Sequence, residues 1–315
     1  MKIALLTITL LLWPLLGAAD STFKIDAGPA EKVADGTFVI YGALGFPDKR
    51  NRAFINNPAF IVTEQGVVVV DPGASLQVGE MLLEQIARIT DRPVVAVFNT
   101  HIHGDHWLGN DAIHRKYPDA AIYGHANMLA EIEAGTGDQW IRTFNQMTEG
   151  AVTGTRVVAP NRVIGHGDII RVAGLTFEIY HTGKAHTSSD ILIRVPEKDL
   201  LFAGDNANNG RIVRMDDGSF PGNVAALDLA MELDVSVVVP GHGRSGDKSV
   251  IEAYRRYLTQ LYAAVAELYE EGMGDFEMKD RVAARLEEFG DWVNFEDELG
   301  KHISLAYLEI EANEF

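Results

Sequence analysis

The sequence predicts an α/β chain in which two sheets face each other and helices cover their outer sides. Three observations lead there. Short apolar strands followed by helical stretches occur twice along the 315 residues, with no internal repeat and no low-complexity tract. One strand feeds the hexapeptide His101-Ile102-His103-Gly104-Asp105-His106. Three later strands each end beside a single candidate donor and a glycine, the residue that lets a backbone turn sharply. These are Leu175–Tyr180 before His181-Thr182-Gly183-Lys184-Ala185-His186-Thr187, Leu200–Ala203 before Gly204-Asp205, and Val235–Val239 before Pro240-Gly241-His242.

Taken in order, Thr37 to Tyr41 is a short strand. Ala59 to Thr63 and Val67 to Val70 are two more, joined by Glu64-Gln65-Gly66 as a hairpin. Asp71-Pro72-Gly73 breaks the second. Val78 to Ile89 has helical spacing, with Met81, Leu82, Ile86 and Ile89 on one side. Strand Val94–Phe98 follows, then a short helix over Asp111–Tyr117 and a strand over Ala121–Tyr123. His125 to Ala159 is helical and loop-like, punctuated by Gly135, Gly137, Gly150 and Gly154. Strands resume at Asp168–Val172, Leu175–Tyr180, Ile191–Val195 and Leu200–Ala203. Ala225–Leu233 is a helix, Val235–Val239 a strand and Val250–Tyr269 a long amphipathic helix. From Met273 to Phe315 the chain is acidic and helical in pattern, with Val282, Leu286, Phe289 and Trp292 as a packing stripe.

Composition bounds the class. The chain is 47% hydrophobic and 23% charged, ordinary for a protein that buries a full core. A formal net charge of −18 repels phosphate backbones and disfavours a nucleic-acid partner. Lys2, the apolar run Ile3 to Leu16 and the small residues Gly17-Ala18-Ala19 have the form of a secretory signal peptide cut after Ala19. The expected organisation is therefore a leader over 1–19, a main domain over 20–270 and a helical C-terminal extension over 271–315. That leader implies a periplasmic or secreted protein with no stable membrane insertion after cleavage. Cysteine is absent, so there are no disulfides and no thiolate ligands.

The hexapeptide is the strongest chemical signal. Only ten histidines exist in the chain, and three of them fall within these six positions. His101 and His103 alternate like neighbouring ligands on an extended chain, while Asp105 and His106 turn toward a second point. This is the pattern of a metal site built from nitrogen and oxygen donors, and a catalytic one needs further ligands from other strand ends. His181 and His186 both qualify after the strand ending at Tyr180; His186 is favoured because Thr187 follows it.

His-x-His-x-Asp-His, followed by an isolated His-Thr, a Gly-Asp and a Gly-His, resembles the metallo-β-lactamase superfamily over about Phe38 to Tyr269. The resemblance implies a four-layer αββα sandwich. It implies that His101, His103 and His186 hold one metal, that Asp105, His106 and His242 hold another, and that Asp205 bridges them. Asp71, in Val-Val-Asp-Pro-Gly, matches an aspartate that supports the histidine loop. One departure is the extra residue in Gly183-Lys184-Ala185-His186, where relatives commonly have Pro-Gly-His-Thr.

Zinc suits these donors, and two zinc ions about 3.5–4 Å apart can share a water; iron or manganese accepts the same donors. Zinc lowers the pKa of its water to about 7, so the expected enzyme is a binuclear zinc hydrolase in which a bridging hydroxide attacks an electrophilic carbonyl. Asp105 is the expected catalytic residue, binding metal and handling the proton. An aspartate at 205 resembles thioesterases of the hydroxyacylglutathione type, lactonases and general hydrolases. Phe60-Ile-Val-Thr-Glu-Gln-Gly-Val-Val-Val-Val-Asp71, Val97-Phe-Asn-Thr-His101 and Leu201-Phe-Ala-Gly-Asp-Asn206 are similar to exported metallohydrolases found with sulfur-oxidation or quinoprotein systems. The expected substrate is a small thioester, ester or lactone. A β-lactam, or a persulfide oxidised at a single iron, is the alternative. Lys184, Arg211, Arg214 and Arg244 lie near proposed ligands and would suit an anionic substrate, unless Asp216, Asp217 and Asp247 pair with them. Trp107 either lines the pocket or packs beneath the loop.

Overall fold

The computed structural model describes residues 24–314, so the leader expected over 1–19 lies outside the described residues. One sheet has seven strands in chain order: β1 (Glu31–Ala34), β2 (Thr37–Val39), β3 (Ala59–Thr63), β4 (Gly66–Val70), β5 (Val94–Phe98), β6 (Ala121–His125) and β7 (Arg162–Ile164). Its first four strands pair antiparallel, with Phe60 opposite Val69 and Ile61 opposite Val68, and its last four pair parallel. The second sheet has five, β8 (Ile169–Val172), β9 (Leu175–Tyr180), β10 (Leu192–Val195), β11 (Leu200–Asn208) and β12 (Val237–His242). Only its β11–β12 pair is parallel.

Every residue of β4 is buried because both faces of its sheet are covered. On the inner side, Val68, Val70, Ala96 and Phe98 meet Phe177, Ile179, Ile193 and Phe202 of the second sheet. Phe98 stacks on Phe177 with centroids 4.6 Å apart. On the outer side, Val67, Val69 and Val97 pack on α1 (Leu76–Ala87), α2 (Gly104–Trp107) and α3 (Asn110–Lys116). The hydroxyl of Ser75 caps α1 by accepting from the Val78 N–H at 3.2 Å. α4 (Ala126–Glu133) and α5 (Thr136–Met147) complete that side.

The outer face of the second sheet is covered by α6 (Phe220–Glu232), α7 (Ser249–Glu270), α8 (Lys279–Arg285) and α9 (Phe295–Asn313). Tyr254, Tyr257, Leu258, Leu261, Val265 and Leu268 form the buried stripe of α7, at helical spacing. That stripe shares one core with Leu201 and Val238 of the sheet and with Val282, Leu286 and Phe289 after α7. The result is a four-layer αββα sandwich, as expected.

Several local expectations need correction. The first helix starts two residues earlier and ends at Ala87, which leaves Ile89 exposed rather than on the packed side. β11 does not stop at Ala203: Gly204 takes a left-handed φ of 53°, the register shifts around it, and pairing resumes as far as Asn208. Asp205 therefore sits inside an irregular strand. β12 likewise runs through His242. β1 and β7 are too short and too exposed to carry an apolar signal.

Phe177 lies between the two sheets with no exposure. Phe177→Ala is expected to cost about 3–5 kcal/mol of stability, read as a lowered urea midpoint with an unchanged slope.

Candidate metal centre

The donors converge because the two sheets present strand ends to the same edge. β5 delivers His101 to His106, with His103 extended before the first turn of α2. β11 delivers Asp205 and β12 delivers His242, hydrogen-bonded neighbours in the second sheet. His186 comes from the loop between β9 and β10. A methyl group at Gly241 would overlap Asp205 Oδ1, so only glycine lets these strands approach this closely.

Two sets of inward-facing atoms result: His101, His103, His186 and Asp205 in one, Asp105, His106 and His242 in the other, each set lying within 4.8 Å. Asp205 reaches both. Its Oδ1 is 3.2 Å from His106 Nε2, and its Oδ2 is 3.2 Å from His242 Nε2 and 3.5 Å from His186 Nε2. Asp105 Oδ2 lies 3.4 Å from His242 Nε2 and 3.6 Å from His106 Nε2. His186 Nε2 faces His103 Nδ1 at 2.9 Å.

The outer ring nitrogens of four of the five histidines are engaged, whereas His186 Nδ1 has no partner. Asp71 accepts from the Thr100 N–H at 2.8 Å, from the Thr100 hydroxyl at 2.7 Å and from His106 Nδ1 at 2.8 Å. With its proton committed to Asp71, Thr100 Oγ1 accepts from His101 Nδ1 at 3.0 Å. His242 Nδ1 lies 2.7 Å from the Ile55 carbonyl, and His103 Nε2 lies 3.2 Å from Asp217. With a single ring proton on each of these outer nitrogens, an inward lone pair is available to a cation on each of these four rings, as metal-ligating histidines require. Buried His101 Nε2 has no hydrogen-bond partner, and His106 Nε2 and Asp205 Oδ1 face each other at 3.2 Å. Buried polar atoms without partners are costly, so the donor set fits one or two divalent cations of the zinc type.

The electrostatics agree. Burial and the neighbouring His103 push His186 down to about 3, so it stays a neutral ligand. His101 is held well below its usual value by burial and His106. Burial works against charge on Asp205, yet His242 and His106 hold it well below the carboxylate range. Burial also opposes charge on His106, but Asp205, Asp105 and Asp71 outweigh it and raise its pKa well above 6.5.

All seven sequence-selected ligands are brought together. His181 is not among them: its Nδ1 pairs with the Asp190 carbonyl at 2.8 Å and its ring stacks on His125. A cleft of about 380 Å³ opens above the cluster, with Phe46, Trp140, Phe144 and Met147 in its lining. Arg211 and Arg214 line it, whereas Lys184 and Arg244 do not, and Arg244 is paired with Glu31. Trp107 packs beneath the loop, donating to the Ile102 carbonyl at 2.7 Å. The sequence reading missed Thr100 and Trp140, and it named Asp217 as a partner for a basic residue and not for His103. Thr100 was legible from its place directly before His101. Asp217 and Trp140 carry no spacing signal because only the fold brings them to His103.

Known proteins are similar to this chain. Residues 51–242, more than half of it, match the model of the metallo-β-lactamase superfamily. A hydroxyacylglutathione hydrolase of Synechococcus sp. (strain JA-2-3B'a(2-13)) is 28% identical over 165 residues, covering 52% of this chain and 53% of that protein. The chain thus spans about half the length of such relatives. Metallo-β-lactamase IND-1 of Chryseobacterium indologenes is 23% identical over 242 residues, covering 75% and 88% of the two chains. The solved sec-alkylsulfatase Pisa1 from Pseudomonas sp. shares the fold, with a TM-score of 0.68 and 18% identity over 89% of this chain and 49% of that one. The chain belongs to the metallo-β-lactamase superfamily.

Asp71→Asn replaces an acceptor-only group with one that also donates. Zinc affinity is expected to fall about 10–100-fold, measured by competition with a chromophoric chelator. Because His106 holds a proton that a cation must displace, zinc uptake is expected to release protons below the raised pKa of His106. Affinity there should rise with pH by about tenfold per unit for each proton displaced, checked by titrations at several pH values.

Proposed function

We propose that this member of the superfamily is an exported binuclear zinc hydrolase that cleaves a thioester, ester or lactone. The observation that carries the reading is the convergence of seven donors in two sets, with Asp205 between them and the histidine ring protons turned outward. A single-iron persulfide dioxygenase resembling this fold needs two histidines and an aspartate, and leaves Asp105, His106 and His242 without a shared purpose. Zinc bound by these residues supplies Lewis acidity and an activated water at neutral pH.

The chain's own residues account for the rest. Asp105, its side chain slightly exposed to the cleft, is positioned to orient the attacking water and to hold its proton for the leaving group. Trp140 and Phe144 form a wall that holds the apolar part of a substrate and excludes bulk water. Thioester cleavage is supported by the hydroxyacylglutathione hydrolases among the relatives. β-Lactam cleavage is the second reading, supported by the β-lactamase that covers three quarters of this chain. Export rests on the leader pattern of residues 1–19, and a surface of net charge −18 suits a small-molecule partner and not a nucleic acid.

Turnover of lactoylglutathione, an aliphatic lactone or nitrocefin identifies the class. Asp105→Ala is expected to lower that turnover at least about 10²-fold. His103→Ala is expected to abolish turnover and lower zinc content while far-ultraviolet circular dichroism stays unchanged. Full activity in either variant contradicts the assignment. The protein recovered from the periplasm or medium should begin at Asp20, which intact mass spectrometry reads.

A further inference from the structure

Glu131 is the cleft carboxylate to which neither the donor sets nor an ion pair gives a role. Five carboxylates line the cleft: Asp105, Glu131, Asp205, Asp216 and Asp217. Asp105 and Asp205 belong to the donor sets. Asp216 is paired with Arg214 at 2.7 Å, and Asp217 lies 3.2 Å from His103 Nε2. Glu131 meets only an uncharged group. Its Oε1 accepts from the Ser188 hydroxyl at 2.8 Å, and among the described residues no cation pairs with it.

The fold holds this carboxylate in place. Asn127 and Glu131 stand four residues apart on α4 and share one face. Asn127 Nδ2 donates to the Ser188 carbonyl at 2.7 Å, so the two side chains grip the same residue. Ser188 follows the donor His186 by two positions, which sets Glu131 on the His103 and His186 side of the centre. Trp140 of α5 stands on that side too, its ring centroid 5.3 Å from that of His103. Arg211 lies on the other side, its Nη1 2.8 Å from His242 Nδ1. Glu131 is half-buried, so its charge is screened less than one on open surface. An unanswered carboxylate and an indole ring lining one cleft suit a cation, which each of them attracts.

We infer that Glu131 and Trp140 form a subsite for a cationic group on the substrate, so that the hydrolase prefers cationic over neutral thioesters. This deepens the thioester-hydrolase reading and rests on it. The scissile group then lies at the metal donors, and the cation lies toward α4 and α5.

The test compares acetylthiocholine with its carbon isostere, in which a tert-butyl group replaces the trimethylammonium. The two share the thioester and the shape and differ in charge. The chain has no cysteine, so a thiol reagent reads the released product alone. The kcat/KM ratio, cationic over neutral, should exceed one in the zinc-loaded enzyme. It should fall about tenfold in Glu131→Gln, which keeps an acceptor for Ser188 and loses the charge. Glu131→Lys should lower it further, with zinc content measured for each protein. Binding of phenyltrimethylammonium by calorimetry should weaken to the same degree in Glu131→Gln. If neither thioester is hydrolysed, the thioesterase reading fails while the calorimetry still decides on Glu131. An unchanged ratio or an unchanged affinity in zinc-loaded Glu131→Gln overturns the subsite. So does a wild-type enzyme that favours the neutral isostere, whatever the variants do.

Discussion

The carboxylate of Asp71 is the constraint on which the centre depends. It stands at the end of β4 with a left-handed φ of 51° and is almost fully buried. Such a conformation is tolerated by aspartate better than by most residues, and is kept only where surroundings over-determine it. Here the surroundings are Thr100 and His106. Through them one carboxylate joins two parallel strands and orients two rings in different donor sets, and it adds to the larger effect of Asp205 and Asp105 in raising the proton affinity of His106. Ring orientation and loop geometry thereby depend on one set of hydrogen bonds.

The sandwich supplies what that local device cannot. His101 to His106 come from one sheet, while His186, Asp205 and His242 come from the other, and the apolar layer around Phe98 and Phe177 sets their separation. The segment after α7 contributes as well. His302 of α9 lies 2.9 Å from the Val213 carbonyl through Nε2, and Glu309 accepts from the Ser219 hydroxyl and the Phe220 N–H. With the Arg211–Val293 bridge, these contacts hold the loop that carries Arg211 and Asp217. The acidic tail thus shapes the cleft from behind.

Much of this was legible in the sequence, for reasons that differ by residue. The hexapeptide after Val94–Phe98 was readable because consecutive donors on one loop are a local signal. The later donors were readable because each follows a strongly apolar strand. Continuous runs such as Val67 to Val70 marked strands covered on both faces. What stayed hidden depends on tertiary contact: Asp217 beside His103, Trp140 on the cleft wall, and the separation of His181 from His186. Of four basic residues near the ligands in sequence, the fold turns Arg211 and Arg214 to the cleft and leaves Lys184 and Arg244 away from it. The extension of β11 past Gly204 was hidden too, since a bulge looks like a strand end.

The most direct measurement is the metal content of the protein, purified without added metal and quantified by plasma mass spectrometry. Two metal sets joined by Asp205 predict about two zinc ions per chain. About one iron per chain, with Asp105, His106 and His242 contributing nothing to its retention, would contradict the binuclear hydrolase.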